Sequence, residues 1–448
     1  MKPGRHHARA QNLWKDVSSS YWFRPGLIVI GGALLAFLAV WLDRRFGVDQ
    51  EHQPWLFIGE ASSSRSILRT VASAMITIAS LTFSMTLVAL TLASSQFGPR
   101  LLANFMRDRV NQTALGIFVG TFVYCLLVLR TVRADGDVAF VPHYATNIAI
   151  GLGVVGVLAL LVYFHHVAQS IRADHVVTKI RYDYDLTVER VLVDVDEARS
   201  APQGDELDLG KHPREVTAQR DGLLQTIESE QLLEALVSSD CRARLLRRPG
   251  DHVIEGEPIA LVTESADDEL VERVSKAFVW GSRRNTFQDL ECSILRLVDV
   301  AVRALSAGTN DPQTAKRCLA ELGGSLATVM RREFPSSIWC DEVGEARVEV
   351  LVADFEGLAA TAFHEIRQYG AGQLSVLMYL IDVLGRLIAL ARTSEQRLVL
   401  FAHLELASQA AMEAVETDSD RKDLQRHLDA ARSKADGGAA ALRGGASD

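Results

Sequence analysis

Cysteine is scarce and scattered in this sequence. The 448 residues contain only five cysteines, an odd number, and no two of them form a CxxC pair. A small domain held together by disulfides, or a structural zinc site, needs cysteines in pairs at defined spacings. The composition therefore argues against both kinds of protein and fits a chain whose thiols face a reducing compartment.

Motifs that carry known chemistry are also missing. The sequence has no GxSxG turn, no P-loop and no paired carboxylates that would hold a metal. His364 and Glu365 begin an HExxH-like pattern, but Gln368 occupies the position of the second histidine. The GxGxxG at residues 151–156 lies inside an apolar run with no preceding strand, which favours helix packing over a dinucleotide loop. We therefore expect no catalytic residue, metal or cofactor.

Charge is unevenly distributed along the chain. The first 172 residues carry 15 Lys and Arg against 8 Asp and Glu, although the whole chain has a net charge of −9. The remainder is therefore strongly acidic. A basic apolar part followed by an acidic part does not suit the binding of nucleic acid, and we expect no such partner.

Four apolar segments dominate the first part of the chain. Each approaches or exceeds the length that a helix needs to cross a hydrocarbon layer of about 30 Å. No small-residue cleavage site follows the first segment, so it is typical of a retained helix and not of a signal peptide. Asp, Glu and Lys are absent from the spans, which argues against a proton-coupled carrier or pump. The predicted spans are residues 25–42, 70–95, 114–132 and 145–167.

Hydroxyl side chains form a stripe along the second span. They recur at alternating steps of three and four residues, with one interruption at Leu87, so they share one face of an apolar helix. Two interpretations remain open. The stripe either packs tightly against another helix or lines a wet pathway in an oligomer, where hydroxyls replace part of an ion's hydration shell. The stripe consists of Thr70, Ser73, Thr77, Ser80, Ser84, Thr91 and Ser94.

Basic residues predict the orientation in the membrane. The tail at residues 1–24 and the loop around residues 100–109 are basic with little acid, whereas the other two loops mix both signs. The positive-inside rule then places both termini of this multi-pass protein in the cytoplasm. Gly116 and Gly120 have the GxxxG spacing of a helix-packing face. With so much small-residue surface to cover, we expect a homo-oligomer in the lipid bilayer.

The second part of the chain is predicted to be an α+β domain on the cytosolic side. Residues 169–213 are typical of a helical stem followed by a linker. Residues 214–263 contain short strands and two Gly/Pro turns, which predicts a small lipoyl-like β-barrel without a lysine for a swinging cofactor. Residues 264–432 are predominantly helical. The Gly/Ala-rich tail, residues 433–448, is predicted to be disordered.

Two polar segments of the second part are candidates for ligand binding. Residues 281–291 and 306–314 carry more polar side chains than a helix needs. The second segment has the signature of a helix start, and a helix start presents free N–H groups to an anion. A simple cap and a site for a small anion or metabolite therefore remain alternatives. The candidate ligand residues are Arg283, Arg284, Asp289, Asn310 and Asp311.

Several ordered motifs carry a family resemblance. They are SSQFGPR after the second span, then RPGDHVIEGEPIA, SRRNTFQDLE, ALSAGTNDPQTA and HEIRQYGA. From the first span to about Arg392, the chain resembles a family of bacterial predicted membrane proteins classed as domain of unknown function 2254. The resemblance implies an inner-membrane protein of unassigned function with a cytosolic domain after the spans.

The sequence thus predicts an α-helical integral membrane protein with four transmembrane helices and a cytosolic domain of β-barrel plus helical bundle. The first hypothesis for its function is a channel-like pathway for ions or small solutes, lined by the second helix and modulated by the cytosolic domain. The alternative is a non-conducting membrane sensor or scaffold whose cytosolic domain binds a protein or metabolite. We do not expect an enzyme.

Overall fold

A computed structural model describes residues 22–46, 60–97, 108–133, 140–170, 173–192 and 207–444 of the chain. The chain divides into two units, Met1–Arg172 and Ala173–Asp448. The boundary lies close to the predicted end of the transmembrane domain. Most of the predicted basic tail and much of the predicted linker lie outside the described residues.

Four long helices make up the first unit. By length and composition each is able to cross a membrane, which confirms the four predicted spans as helices. The second helix starts well before the predicted span, because polar residues continue the helix ahead of Thr70. The helices are α1 (Phe23–Phe46), α2 (Ala61–Phe97), α3 (Arg109–Leu129) and α4 (His143–Ser170).

Helix α3 lies at the centre of the first unit. Of its most apolar stretch 56% is buried, against 17–22% in the other three helices. Helices α1, α2 and α4 each contact α3. The apolar surface left for lipid or for another copy of the chain therefore belongs mainly to α1, α2 and α4.

Glycines allow α1 and α3 to approach closely. A Cβ atom on Gly32 would lie 2.7 Å from the carbonyl oxygen of Gly120, and one on Gly116 would lie 2.7 Å from Ile28 Cδ1. In α4 a Cβ atom on Gly156 would lie 2.6 Å from the sulfur of Met75 in α2. The predicted packing role is confirmed for the GxxxG pair and for Gly156, but not for Gly151, where a Cβ atom would have no neighbour within 4 Å.

Polar side chains hold the ends of the membrane helices. The Asp43 carboxylate of α1 accepts hydrogen bonds from the N–H groups of Tyr144 (2.8 Å) and Ala145 (2.9 Å), which caps α4. At the opposite end of α4, His166 Nε2 lies 2.6 Å from Asp108 Oδ2. The other Asp108 oxygen caps α3. These links fix the helix ends without placing a carboxylate in the middle of a span.

Helix α5 (Ala173–Val191) is an integral part of the second unit. Tyr184 on α5 is completely buried. Arg181 donates hydrogen bonds to Thr328 Oγ1 (2.9 Å) and to the carbonyl oxygen of Glu321 (3.2 Å). The predicted stem is therefore helical, but it packs against the rest of this unit.

The strands form two open sheets within the described residues. One sheet has the order β1-β5-β3-β8-β7 and the other the order β4-β2-β6. No closed barrel is present, so the predicted lipoyl-like barrel at residues 214–263 is corrected. Later strands of the chain pair with this segment and satisfy the edges that a barrel would have closed. The strands are β1 (Arg214–Thr217), β2 (Gly222–Ile227), β3 (Ala243–Leu245), β4 (His252–Val253), β5 (Pro258–Val262), β6 (Phe278–Gly281), β7 (Ile338–Cys340) and β8 (Ala346–Glu349).

Helices complete the second unit. Two short helices share a hydrophobic core with the sheets, in which Leu224, Leu236 and Leu270 are buried. The longer helices that follow bury apolar faces against each other. The helices are α6 (Ser229–Ser238), α7 (Asp268–Lys276), α8 (Leu290–Ala304), α9 (Pro312–Val329), α10 (Phe355–Tyr369), α11 (Leu374–Leu390), α12 (Ser394–Glu413) and α13 (Asp418–Gly444).

The last helix departs from the sequence prediction. Helix α13 continues to Gly444, whereas the chain was expected to be disordered from residue 433. Alanine has the highest helix propensity and supports this extension despite the glycines. Residues 445–448 lie outside the described residues.

The packing of His403 on α12 predicts a pH dependence of stability. Burial, with the nearby charges of His364 and Arg367, holds the pKa of His403 below its usual value. Its ring also packs edge-on against Phe363. Because the unfolded chain binds the proton more tightly, stability falls as the pH drops from about 6.5 through the folded-state pKa.

We expect His403→Gln to remove this loss of stability. Urea unfolding at several pH values is the measurement, and His212→Gln, at an exposed position, is the control. If the free energy of unfolding depended on pH equally in the wild type and in His403→Gln, the assignment of this effect to His403 would be contradicted.

Candidate functional site

The hydroxyl stripe of α2 lies on the outer surface of the first unit. Its side chains are exposed from Thr70 to Thr91, and Ser94 is half-buried. The opposite side of α2 is buried against the other helices and carries Leu68, Met75 and Ala79. The stripe therefore does not pack within a single copy of the chain.

Most stripe hydroxyls bond to their own helix. Thr70, Thr77, Ser80 and Thr91 each donate to the carbonyl oxygen four residues earlier, over distances of 2.8–2.9 Å. The O–H group of each of these side chains is therefore already donating a hydrogen bond, while its oxygen keeps lone pairs that can accept one. The outer face of α2 thus presents a ladder of acceptor oxygens.

An open groove runs along the first part of this ladder. It has a volume of about 550 Å³. It is lined by the stripe residues Thr70, Ser73 and Thr77, by the apolar Ala74 and Ile78, and by Arg69. In a lipid bilayer, the hydroxyl oxygens in this groove would have no hydrogen-bond partner, because hydrocarbon supplies no donor.

Two further threonines of α2, Thr82 and Thr86, face the interior of the unit and were not among the predicted stripe residues. The Tyr163 hydroxyl of α4 donates to the Thr82 carbonyl oxygen at 2.7 Å and lies 2.8 Å from Thr86 Oγ1. These contacts join α2 to α4 inside the unit. The positions of Thr82 and Thr86 in the sequence fall outside the three- and four-residue spacing of the stripe, and this places them on the opposite face of the helix.

In the second unit, the half-buried Arg284 forms an ion pair with the buried carboxylate of Asp289. The guanidinium donates to both carboxylate oxygens, at 2.5 and 2.8 Å, and to Glu291 at 3.2 Å. Burial raises the pKa of Asp289, which the Arg284 hydrogen bonds and charge oppose. Burial lowers the pKa of Arg284, but its bonds to Asp289 and Glu291 outweigh this and raise the pKa above its usual value.

The Pro-Gly turn before β4 covers this ion pair. Gly250 has a φ of +103°, and a Cβ atom there would collide with Arg284 and Asp289. Only glycine combines this backbone conformation with such a close approach. Asp289 also caps α8 by accepting from the Cys292 N–H at 3.1 Å. The pair therefore connects a turn, a loop and a helix start.

Asp311 is the predicted cap of α9. Its Oδ1 accepts from the N–H groups of Gln313 and Thr314, both at 3.1 Å, and Pro312 begins the helix. The Thr314 hydroxyl donates to Oδ2 at 2.6 Å and, as the largest cause, lowers the pKa of Asp311. The predicted helix start is confirmed.

The five candidate ligand residues do not form one site. Helix α8 has 15 residues, about 21 Å at 1.5 Å per residue, with the Arg284–Asp289 pair at its start and Asn310 beyond its end. Asn310 Oδ1 accepts instead from Gln373 Nε2 at 3.1 Å. The side chain of Arg283 is exposed, and its carbonyl oxygen accepts from Gln225.

A cavity of about 370 Å³ lies beside the ion pair. Among the candidate ligand residues, only Asp289 lines it. Its arginines Arg190, Arg247 and Arg248 were not among the residues predicted from the sequence. The adjacent arginines Arg247 and Arg248 before the Pro-Gly turn could have been recognised in the sequence, whereas Arg190 belongs to a helix with no distinguishing motif. Among the described residues, no group of three or more His, Cys, Asp or Glu is placed to hold a metal.

Comparison with known proteins gives a consistent family match. Residues 18–386 match the model of a family described as predicted membrane protein, domain of unknown function 2254. Uncharacterized proteins of Mycobacterium bovis and Mycobacterium tuberculosis are each 29% identical to the chain over 380 residues, which cover 82% of this chain and 71% of the relative. No solved structure matches significantly.

Proposed function

The chain belongs to this family of predicted membrane proteins, and we propose that it forms an oligomeric pathway for ions or small solutes. The α2 hydroxyl faces of neighbouring copies line the pathway. The second unit lies in the cytoplasm of the bacterial cell, as do both termini, and modulates conduction. The observation that carries the proposal is the exposure of the hydroxyl stripe on the outside of a single copy.

The cost of leaving the stripe in lipid supports assembly. A single copy would present a row of hydroxyl oxygens to hydrocarbon, which offers no hydrogen bond. Association of α2 faces from several copies around an axis removes these oxygens from lipid and places them along a common path. The inward-facing Thr82 and Thr86 already serve the packing of the unit, so the stripe is available for this second role.

The chemistry of the stripe favours cations over anions within the span. The donors of Thr77, Ser80 and Thr91 are used by backbone carbonyls, so the side chains offer oxygen lone pairs. No ionisable residue occurs from Thr70 to Ser94. Arg69 adds positive charge at one end, and we expect it to limit the rate of cation entry.

Single-channel recording from purified protein in planar bilayers tests the proposal through Ser80→Leu. Leucine at this position replaces a lining oxygen by an apolar branch in every copy. We expect conductance to fall roughly tenfold or more, because ions lose a coordinating site and water is excluded from the constriction.

The matched control is Leu81→Phe, which adds bulk at the adjacent exposed position beside the stripe. It should leave conductance unchanged. Sizing of both variants checks that the oligomer is intact. Equal effects of the two substitutions would contradict a lining role for the stripe.

The second candidate is a non-conducting sensor or scaffold, and the bonds within α2 favour it. Because Thr77 and Ser80 satisfy their donors locally, the stripe is also able to pack dry against a second helix. Thiol labelling in liposomes separates the two candidates. A membrane-impermeant reagent should modify Ser80→Cys and Ser84→Cys if the stripe is wet. Cross-linking between copies without modification would support the scaffold.

A further inference from the structure

The cavity of the second unit has the composition of a ligand site. Its volume of about 370 Å³ falls within the range of small-molecule pockets. Its apolar wall is formed by side chains from three strands and three loops. These are Ile227, Leu245, Phe287, Phe334, Trp339 and Val350.

Large apolar side chains remain exposed at this cavity. Phe287 and Leu351 are each 52% exposed, although both line it. Exposed apolar surface that surrounds a concave site is typical of a place where a ligand covers it. The apolar wall therefore indicates a ligand with an apolar body.

The acids of the cavity are already neutralised. Arg284 bonds Asp289 through both oxygens and also reaches Glu291. Arg248 Nη2 lies 2.5 Å from the other Glu291 oxygen. Both carboxylates are thus occupied by arginines, and neither is available to a cationic ligand.

The remaining arginines leave positive charge at the cavity. Arg190 donates to the Phe287 carbonyl oxygen at 3.3 Å and stacks on the Phe287 ring. Among the described residues, it forms no ion pair with a carboxylate. Arg247 Nη2 forms a long ion pair with Glu257 at 3.7 Å, without a hydrogen bond, and Nη1 donates to the Leu246 carbonyl oxygen at 3.1 Å. Each guanidinium therefore retains donors for an anion.

The geometry points to a binding site for a small organic anion with an apolar body, held by Arg190 and Arg247 through its carboxylate or phosphate. The apolar body packs among Trp339, Leu245 and Phe287. This inference does not depend on the proposed pathway, because it concerns only the second unit. A scaffold and a channel would both provide such a site.

Trp339 lies in the wall and reports binding by fluorescence in the full-length protein. We would use nanodiscs of phosphatidylcholine, so that no anionic lipid competes. The probes are 3-phenylpropionate, phenyl phosphate, the neutral 3-phenylpropanamide and inorganic phosphate. We expect a saturable change with one or both organic anions, and at least roughly tenfold weaker binding of the amide and of inorganic phosphate. The stronger organic anion identifies the head group.

Substitutions assign the site. Trp339→Phe should abolish the signal, and Arg190→Gln and Arg247→Gln should each weaken anion binding by roughly tenfold. Arg283→Gln is the matched control, because Arg283 is an exposed arginine of the same unit that does not line the cavity. Unchanged melting temperatures verify that the variants fold.

Three results would overturn the inference. The first is equal binding of the amide and the carboxylate, since the arginines would then play no part. The second is an equal loss with Arg283→Gln, which would indicate a general charge effect. The third is no saturable signal from any probe up to about 10 mM, an affinity too weak for a formed site.

Discussion

Replacement of Arg284 by methionine should destabilise the second unit by roughly 3–5 kcal/mol, because it leaves a buried carboxylate without its partner. The Asp289 side chain is only 3% exposed, and Arg284 supplies two of its hydrogen bonds. Methionine fills most of the arginine volume but provides no donor. Urea unfolding of the full-length protein in a mild detergent, followed by the fluorescence of Trp280 and Trp339, measures the loss.

The neighbouring Arg283 provides the control for this experiment. Its side chain is exposed, so Arg283→Met should change the free energy of unfolding by less than about 0.5 kcal/mol. The double variant Arg284→Met, Asp289→Asn should recover part of the loss, because asparagine removes the charge and still caps α8. Equal losses for Arg283→Met and Arg284→Met would contradict the ion-pair assignment.

The pH dependence of the same variant distinguishes charge from packing. Without Arg284, the folded-state pKa of Asp289 rises further above its unfolded value. The folded state then binds more protons, so the destabilisation shrinks as the pH falls from about 8 to about 5. A loss caused only by packing would stay constant over that range.

The transmembrane helices were predictable because their signal is local. Each consists of one continuous apolar run, and a helix in lipid satisfies its own backbone. The hydroxyl stripe was predictable for a similar reason, since residues three and four apart share a face. Whether the stripe faces outward or inward was not predictable, because the periodicity of α2 contains no information about which face meets α3 and α4. The burial of Leu68 and Met75 opposite the stripe supplied that information.

The sheets were not predictable from the segment at residues 214–263. Its turns were identified correctly around Gly250 and Gly256, both of which have positive φ. The pairing partners of its strands lie far along the chain, as for Ala243 beside Val348. No local pattern in the sequence specifies such a parallel pairing, and a compact barrel was the simplest local alternative.

The separation between the two candidate ligand segments could have been estimated from the sequence. A predicted helix separated the Arg284 segment from Asn310, and its length alone places them about 20 Å apart. Polar residues of similar chemistry at the two ends of one helix therefore cannot contact the same small ligand. Arg190 and Arg247 could not have been associated in this way, because only the tertiary fold brings α5 and the turn before β4 to one cavity.

Adjacent glycines of α1 offer the sharpest test of the membrane unit. We expect Gly32→Ala to destabilise it by roughly 1–3 kcal/mol, because the new Cβ would lie 2.7 Å from the Gly120 carbonyl oxygen and force α1 away from α3. Gly31→Ala introduces the same methyl group with nothing within 4 Å. Both variants lose the same backbone freedom of glycine, so their difference isolates the contact. Unfolding by SDS from mild detergent micelles measures it, and equal midpoints would show that α1 does not pack on α3 through these glycines.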